Sequence, residues 1–421
     1  MKGCGVYSRV SFVYTCPCAL SQVTCDTESI FANACLSIYT APMRHIRLGF
    51  VLIALCLMAF RGQAQTPWQM QDSGVTVALR GIHAVNGNVA WASGAGGTVL
   101  RTTDGGVHWQ KCSTPDAQAD GATLDFRGLQ AWNANTAVVM SSGQGDKSRL
   151  YKTTNGCRSW QLLFVNPDAP QGFFDSFWFN GPRGIVLGDP VEGRFVVYVT
   201  TNRGKHWKRD RLPGLALDNR TLAAFAASNS SIAKGNNLFA RCFATGGKSG
   251  AVFFTRPFTA EEEKHGIFDL LLRKKTPWRS SAIPLASGTE TSGAFAVAYR
   301  YPVTTGLCPT CGFGDNSRFI AVGGDYTKPN ASAGTAAWSA DGGVNWTPSA
   351  VLPHGYRSAV EWSAALNVWI TAGANGSDVS RDEGKTWRPL DDGNWNALSL
   401  PFAVGPNGHI ARLDANVIKR Y

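Results

Sequence analysis

Short apolar runs separated by turns rich in Gly, Asn and Asp recur along most of this chain. Residues 90–100, 136–140 and 194–199 are examples, and each is followed by a polar turn. Runs of this length are typical of strands in small sheets, whereas an amphipathic helix needs an apolar position every three or four residues over a longer span. The pattern predicts an all-β protein built from many short strands.

A motif, S/T-x-D/N-x-G-x-x-W, follows the apolar runs five times, beginning at residues 102, 153, 200, 339 and 380. Its Asp or Asn and its Trp are Asp104 and Trp109, Asn155 and Trp160, Asn202 and Trp207, Asp341 and Trp346, and Asp382 and Trp387. Cys157 alone departs from the motif, at the glycine position. Five occurrences indicate a repeat architecture rather than chance.

The residue types of the motif suit a β-hairpin turn, which we call the box turn. The Asp or Asn side chain can cap backbone N–H groups, the Gly supplies a positive φ, and the Trp folds back over the turn. We therefore expect the side chains of the box turns to be structural.

The box turns resemble the Asp-box repeats of sialidases, of sortilin-type receptors and, most closely, of the photosystem II stability/assembly factor family. In that family a strand ending in Gly precedes a T-x-D-G-G-x-x-W turn, as Ala92-Ser93-Gly94 precedes residues 102–109 here. The resemblance covers nearly all of the chain after residue 64. It implies a seven-bladed β-propeller, a fold that by itself indicates little about chemistry.

Counting one blade for each box turn gives spans of 80–125, 126–172, 173–220, 293–355 and 356–394. A further blade over 395–413 is short. We expect a strand within residues 66–77 to complete it, because such an overlap closes the ring and leaves no free sheet edge.

The remaining blade, over residues 221–292, lacks a box turn. Residues 237–244 and 250–255 have the pattern of strands, and a charged insertion at 261–275 stands where the box would be. Trp278 is interpreted as a remnant of the outer strand of this blade.

Composition supports this architecture: the 421 residues include 46 Gly, 20 Pro and 14 Trp, and only 16% are charged. Such a composition favours tight turns over long helices. A single propeller over residues 65–421 accounts for a length that would otherwise imply two or three domains.

The segment 43–64 reads as a signal peptide, with basic residues after Met43, an apolar run at 48–60 and small residues before Ala64. Cleavage near Ala64 predicts an exported protein, periplasmic or secreted. The apolar run is shorter than the roughly 20 residues of a membrane-spanning helix, so no stable membrane insertion is expected. Leu55 before Cys56 disfavours a lipid anchor, and residues 1–42 are interpreted as a mis-called N-terminal extension.

The formal charge of +11 falls to +8 once the five basic and two acidic residues of 1–64 are removed. A moderately basic protein can attract acidic partners. The Lys and Arg residues are scattered, however, and form no run typical of a nucleic-acid groove. We expect no nucleic-acid partner, and a monomer.

Five cysteines follow residue 64: Cys112, Cys157, Cys242, Cys308 and Cys311. An odd number leaves at least one thiol unpaired in an exported protein. The spacing of Cys308 and Cys311 fits a local loop disulfide or inert thiols, half of a metal site, or a redox pair. The first is favoured because no second pair accompanies them, and no metal or cofactor is predicted.

Candidate site residues follow from propeller geometry, because the innermost strand starts and the next strand ends beside the central channel. The inner-strand starts are Arg80, Arg127, Asp175, Phe295, Arg357 and Trp395. The second-strand ends are Ser142, Asp189, Asp325 with Tyr326, and Gly373. The box turns belong to the opposite side.

Asp189 and Asp325 follow glycines, which let the backbone turn sharply while a carboxylate is presented. With Arg127 and Arg357 they would make a polar mouth to the channel. The alternative is that each Asp caps its own turn and each Arg neutralises it.

Two functions compete on these residues. The first is a non-catalytic protein that binds a protein partner through Arg80, Arg127 and Arg357, since the resembling family holds an incompletely assembled membrane complex. The second is a saccharide-binding propeller or a sialidase-like glycoside hydrolase, with Asp189 and Asp325 flanking the sugar bond.

The motif Tyr299-Arg300-Tyr301-Pro302 is similar to the arginine motif of sialidases, but it follows three box turns instead of preceding the first. No nucleophile elbow, P-loop, dinucleotide fingerprint or H-E-x-x-H motif occurs. Binding without catalysis is therefore favoured.

Overall fold

Short antiparallel strands form seven sheets, one after another along the chain, in the computed structural model. It describes residues 66–234, 241–256, 277–300 and 317–421. The seven sheets are the blades of the predicted β-propeller. Residues 1–65, the insertion at 261–275, and Cys308 and Cys311 lie outside the described residues.

The first strands are β1 (Trp68–Gln71), β2 (Leu79–Ala84), β3 (Ala90–Gly94), β4 (Val99–Thr102), β5 (Gln110–Lys111), β6 (Phe126–Ala131), β7 (Ala137–Ser141), β8 (Arg149–Thr153) and β9 (Gln161–Val165). There follow β10 (Phe174–Asn180), β11 (Arg183–Val191), β12 (Arg194–Thr200), β13 (Lys208–Arg209), β14 (Arg241–Ala244), β15 (Ala251–Arg256) and β16 (Arg279–Ile283). The last are β17 (Ser292–Arg300), β18 (Arg318–Asp325), β19 (Ala336–Ser339), β20 (Thr347–Pro348), β21 (Ala359–Ser363), β22 (Val368–Gly373), β23 (Gly376–Ser380), β24 (Arg388–Asp391), β25 (Ala397–Ser399), β26 (Phe402–Val404), β27 (Ile410–Leu413) and the helix α1 (Ala415–Ile418).

Blades 1 to 6 follow chain order, as β2–β5, β6–β9, β10–β13, β14–β16, β17–β20 and β21–β24. Blade 7 consists of β25, β26 and β27 together with β1, which is its outermost strand. Trp68 lies opposite Leu413 and Gln71 opposite Ile410 in this antiparallel pair. The prediction that an N-terminal strand closes the ring is confirmed.

Hydrophobic clusters fill the interfaces between neighbouring blades. In the described part of the chain there are seven of them, and each draws its residues from two adjacent sheets. Between blades 3 and 4, for example, the ring of Phe195 lies 5.5 Å from that of Phe243 and 5.3 Å from that of Phe254. Burial of this apolar surface is the main force that holds the blades together.

The box turns have one shared hydrogen-bond pattern. In blade 1 the Gly106 N–H donates to Thr102 Oγ1 at 2.9 Å, and the His108 N–H donates to Asp104 Oδ1 at 3.0 Å. The equivalent bonds recur in the other four boxes. The Asp and Asn side chains therefore cap their own turns, as expected.

The box tryptophans reach beyond their own turns to the preceding blade. Trp109 Nε1 donates to Gln71 Oε1 at 3.1 Å, and Trp160 Nε1 donates to the Ser113 carbonyl at 2.9 Å. Trp207 makes the equivalent contact by stacking on Phe164, at 5.0 Å. The box tryptophans are structural, as expected, and these contacts add that their rings also fasten neighbouring blades together.

Cys157, which breaks the box motif, forms a disulfide with Cys112 of blade 1. It has a φ of 63°, in the left-handed region where the other boxes have glycine. Its N–H still donates to Thr153 Oγ1, at 3.1 Å. The disulfide joins two blades across 45 residues, while Cys242 is a buried free thiol.

Blade 4 differs from the others. Its sheet order is β14-β15-β16, and residues 231–233 add an innermost row. Ile232 lies opposite Phe243, and the Ala244 N–H donates to the Ser231 carbonyl at 2.9 Å. Trp278, which is buried, directly precedes the outer strand β16.

Among the described residues, no helix has the length and apolar character to cross a membrane.

The disulfide yields a prediction that separates cross-linking from backbone strain. Cys112→Ser combined with Cys157→Gly should be more stable than Cys112→Ser combined with Cys157→Ser by about 1 kcal/mol, because only glycine adopts the left-handed conformation without cost. Both should be less stable than the oxidised protein by about 2–4 kcal/mol. Urea unfolding measures these differences, and equal stability of the two double variants would contradict the strain argument.

Candidate functional site

The innermost strands of four blades contain one extra residue at the same point, a β-bulge. The register shifts lie between Leu79 and Gly81, Phe126 and Gly128, Phe174 and Ser176, and Ala294 and Ala296. The extra residues are Arg80, Arg127, Asp175 and Phe295, four of the predicted inner-strand positions. A bulge redirects a side chain out of the regular sheet pattern, so these four side chains mark one end of the channel.

Two predicted positions are wrong by one residue. The N–H groups of Leu79, Arg357 and Trp395 each donate to a glycine carbonyl at or near the end of the second strand of the preceding blade. The three glycines are Gly405, Gly323 and Gly373. Arg357 and Trp395 therefore correspond to Leu79, the buried residue before the bulge. The residues that correspond to Arg80 are Ser358 and Asn396. We call Arg80, Arg127, Asp175, Phe295, Ser358 and Asn396 the bulge ring.

Arg357 consequently lies inside blade 6 and not at the channel mouth. Its side chain is completely buried, and its Nε donates to Asp378 Oδ2 at 2.6 Å. Its Nη1 donates to the Tyr356 carbonyl at 2.7 Å and to Asn375 Oδ1 at 2.6 Å. These bonds compensate the cost of burying a charge and leave no guanidinium surface for a partner.

Residues 224–230, which we call the plug, occupy the bulge position of blade 4. Ala223 pairs with Gly246, and the row resumes where Ser231 bonds Ala244, so the inner strand protrudes between these points. The Ala224 N–H donates to Asp189 Oδ1 at 3.0 Å, and Arg127 Nη1 donates to the Ala226 carbonyl at 3.4 Å.

The far end of the plug bonds to other blades. Ser228 Oγ donates to the Ser358 carbonyl of blade 6 at 2.6 Å, and the Val297 N–H of blade 5 donates to the Ser230 carbonyl at 2.9 Å. A segment from blade 4 that bonds blades 2, 3, 5 and 6 must cross the channel. The plug therefore forms a floor beneath the bulge ring.

Asn229 anchors the plug with its side chain. Its Oδ1 accepts from the Phe177 N–H at 2.8 Å and from Ser176 Oγ at 3.1 Å, and its Nδ2 donates to the Leu129 carbonyl at 3.3 Å. The residue is 1% exposed and has a φ of 56°. Asn is among the few residues besides Gly that adopt this conformation readily.

The side of the bulge ring formed by blades 1 and 2 is charged. Arg127 Nε donates to Asp125 Oδ2 at 2.8 Å, and Arg80 Nε lies 3.9 Å from the same oxygen. The side chain of Arg80 is 34% exposed and that of Arg127 is 29% exposed. Burial and the neighbouring Arg127 lower the pKa of Arg80, and Asp125 opposes this. One carboxylate thus serves two guanidinium groups.

Two carboxyl groups of blade 3 border the plug. Burial raises the pKa of Asp175 well above its usual range; Asp189 adds to this rise and Arg127 opposes it. Burial also raises the pKa of Asp189, to about 6, although the Ala224 N–H favours its charged form. Burial therefore favours the protonated form of Asp175, which can donate as well as accept hydrogen bonds, whereas Asp189 is ionised above about pH 6.

The opposite side of the bulge ring is aromatic. Phe225 of the plug stacks on Phe295 with 3.8 Å between ring centroids, and Phe295 meets Tyr356 edge-on at 4.8 Å. Tyr326 lies 6.1 Å from Phe295 and is 50% exposed. Tyr356 also lies within electrostatic range of Arg80, so the aromatic and charged sides meet.

Asp325 caps a turn. Its Oδ1 accepts from Thr291 Oγ1 at 2.8 Å, from Thr327 Oγ1 at 2.7 Å and from the Thr327 N–H at 3.1 Å. Burial would raise its pKa, but these hydrogen bonds outweigh it and lower the pKa. Asp325 thus caps its own turn, whereas Asp189 binds the N–H of Ala224 in the plug. These contacts do not support the use of the two residues as a hydrolytic pair.

Four buried polar atoms near the charged side lack a hydrogen-bond partner among the described residues: Arg80 Nε, Asp125 Oδ1, Ser142 Oγ and Asp175 Oδ2. Ser142 adjoins Asp125, because its N–H donates to the Asp125 carbonyl at 3.0 Å. Buried polar atoms are normally paired with protein, ligand or water.

In the described part of the chain, no three His, Cys, Asp or Glu side chains are grouped to hold a metal.

Sequence reasoning thus found Arg80, Arg127, Asp175 and Phe295, and missed Asp125, Ser358, Asn396 and the plug. For Ser358 and Asn396 the signal is the glycine at the end of the second strand of the same blade, Gly373 and Gly405, because it fixes the register of the inner strand. The plug had no such marker, since its Ala- and Ser-rich sequence has neither strand nor turn periodicity.

No protein-family model and no curated protein sequence matches the chain. Solved structures similar to it include YCF48 bound to a D1 peptide, at 16% identity and a TM-score of 0.52, covering 83% of this chain and 98% of that one. YCF48 from Cyanidioschyzon merolae gives the same identity and TM-score over 83% and 100%. A GH74 xyloglucanase from Xanthomonas campestris is 16% identical, with a TM-score of 0.47 over 78% and 56%. The likeness to YCF48 shows a shared fold.

Asn229 is expected to hold the plug in place. Asn229→Ala leaves the buried Phe177 N–H without an acceptor, which should lower the free energy of unfolding by about 2–3 kcal/mol. Asn229→Gly loses the same bonds but relieves the left-handed backbone, so it should be the less damaging of the two. Urea unfolding of both variants checks this, and an Asn229→Ala variant as stable as wild type would exclude an anchoring role.

Asp189 should make stability depend on pH. Because its folded pKa of about 6 exceeds the ordinary 3.8, its ionisation costs stability progressively as pH rises between these two values. Asp189→Asn keeps an acceptor for the Ala224 N–H and should therefore be more stable than wild type above pH 6, with the gain vanishing near pH 3.8. Denaturant melts across this range measure it; a pH-independent difference would be the contrary result.

Proposed function

We propose that this chain is an exported, non-catalytic β-propeller that binds an extended segment of a partner protein at its bulge ring. The observation that carries the proposal is the junction of two partly exposed arginines with an aromatic wall, above a floor built by the plug. Arg80 and Arg127 share a single carboxylate, Asp125. They can therefore bind an acidic side chain or a terminal carboxylate of the partner.

The unpaired polar atoms around the arginines suit a polypeptide. Arg80 Nε donates, Asp125 Oδ1 accepts, and Ser142 Oγ can do both. A peptide backbone presents the same alternation of N–H donors and C=O acceptors. The exposed Tyr326 offers an apolar ring face with a polar tip, a combination enriched at interfaces.

The plug makes this end of the channel a recess rather than a tunnel. A partner segment would lie across the ring, with its charged group toward Arg80 and Arg127 and an apolar residue toward Phe225, Phe295 and Tyr326. YCF48 bound to a D1 peptide is a precedent for a propeller of this fold that binds a peptide.

Export is proposed from the signal-like segment at 43–64 and is supported by the disulfide between Cys112 and Cys157. Disulfides persist in oxidising compartments and are rare in the cytosol. A periplasmic or secreted location would place the bulge ring within reach of envelope proteins.

Saccharide binding is the second candidate, because an exposed aromatic ring beside polar groups also suits sugar hydroxyls. Tyr326 and the carboxyl groups of Asp175 and Asp189 are the relevant residues. A glycan array would identify this function, and a signal lost in Tyr326→Ala would favour it over peptide binding.

The proposed function predicts the effect of removing the two arginine charges. Arg80→Met combined with Arg127→Met should weaken partner binding about tenfold or more, since buried charge pairs at an interface act mainly on dissociation. The partner would be captured from the native envelope and its affinity measured with a synthetic segment of it.

Arg158→Met combined with Lys205→Met is the matched control, because it removes the same charge from exposed positions on two box turns. This variant should bind as wild type does. Equal affinity of both double variants would show that the partner binds elsewhere or by overall charge.

A further inference from the structure

The plug leaves a second end of the channel, on the side of the box turns. Each inner strand runs from the bulge ring toward this end, which we call the box end. His83 and Trp178 lie near the box-end termini of β2 and β10, and their ring centroids are 6.2 Å apart although they belong to blades 1 and 3. Lys234 follows the inner row of blade 4 and lies within electrostatic range of His83.

Glu361 of blade 6 completes the group. Its Oε2 accepts from the Leu400 N–H of blade 7 at 2.9 Å, and it interacts electrostatically with Lys234. The side chains of His83, Trp178, Lys234 and Glu361 are all partly exposed. Four polar or charged side chains thus converge from four different blades, in residues that are only partly shielded from solvent.

Three buried polar atoms at the box end are unused, and two of them are obligate hydrogen-bond donors. His83 Nδ1, Trp178 Nε1 and Asn180 Nδ2 are buried atoms without a hydrogen-bond partner among the described residues. Asn180 lies two residues after Trp178 and so on the same face of β10. An indole N–H and an amide NH₂ can only donate, and the Lys234 ammonium adds further donors. The ligand that matches this set is rich in acceptors.

The charge of the group agrees with this. Burial lowers the pKa of Lys234 to about 8, with Glu361 opposing the shift. Burial raises the pKa of Glu361 to about 7, with the Leu400 N–H and Lys234 opposing it. Burial, with Lys234, lowers the pKa of His83 to about 3. The shifts of Glu361 and His83 both favour their neutral forms, so the ammonium of Lys234 faces few fully charged competitors.

We propose that the box end of the channel binds a small oxyanion, such as a carboxylate, phosphate or sulfate, between Lys234 and the donor groups of Trp178 and Asn180. This site is separate from the bulge ring, because the plug lies between them. It goes beyond the proposed partner binding and does not depend on it.

Isothermal titration of the full chain with acetate, phosphate and sulfate, at constant ionic strength set with chloride, tests the proposal. We expect saturable binding of at least one of these ions. Lys234→Met should weaken it about tenfold or more, and Trp178→Phe, which removes one donor and keeps the ring, should weaken it several-fold.

Glu361→Gln gives a result of the opposite sign. It keeps an acceptor for the Leu400 N–H but removes the competing negative charge, so it should strengthen oxyanion binding. The increase in oxyanion affinity is the readout that a merely structural role of the cluster would not produce. Circular dichroism and thermal melting establish that each variant is folded.

Three outcomes would overturn the proposal: no saturable binding of any of the three ions to wild type, binding unchanged in both Lys234→Met and Trp178→Phe, or binding abolished by Arg127→Met. The last would place the ion at the bulge ring. Loss of partner binding in the arginine double variant, with oxyanion binding intact, would leave both proposals standing independently.

Discussion

The pairing of β1 with β27 is the constraint on which the propeller depends. These two strands come from opposite ends of the described chain, and their four residue pairs supply the outer edge of blade 7. Each of the seven hydrophobic clusters is shared by two neighbouring blades. Every blade is therefore stabilised by both of its neighbours only once the ring is closed. The box tryptophans reinforce the same interfaces near their outer rim, through bonds such as that from Trp109 to Gln71.

The bulge in the inner strand connects this scaffold to the candidate site. A single extra residue in blades 1, 2, 3 and 5 places Arg80, Arg127, Asp175 and Phe295 at one end of the channel. In blade 4 the same point carries the plug, a much longer protrusion. The one-residue bulges thus supply the walls of the recess, and the longer protrusion at the same point of blade 4 supplies its floor. The hydrogen-bonded sheets behind them remain regular.

Much of the fold could be predicted from local sequence, because a box turn is specified by residues within eight positions of each other. Closure by β1 followed from the missing strand of blade 7. Arg357 and Trp395 were predicted at the bulge position, which Ser358 and Asn396 occupy instead. Local sequence does not show which residue a bulge leaves unpaired. The plug and the bond between Cys112 and Cys157 depend on contacts between distant segments, and a cysteine at a glycine position reads locally only as a broken motif.

The position of the disulfide has a consequence for the order of assembly. Cys112 and Cys157 are 45 residues apart, whereas Trp68 must find Leu413 at the far end of the chain. As the chain emerges from its N-terminus, the first two blades can be covalently joined before the last five exist. Throughout that interval β1 is an unpaired edge strand, open to pairing with other chains. The crosslink thus joins neighbouring blades that are close in sequence, whereas ring closure requires the two ends of the described chain to meet.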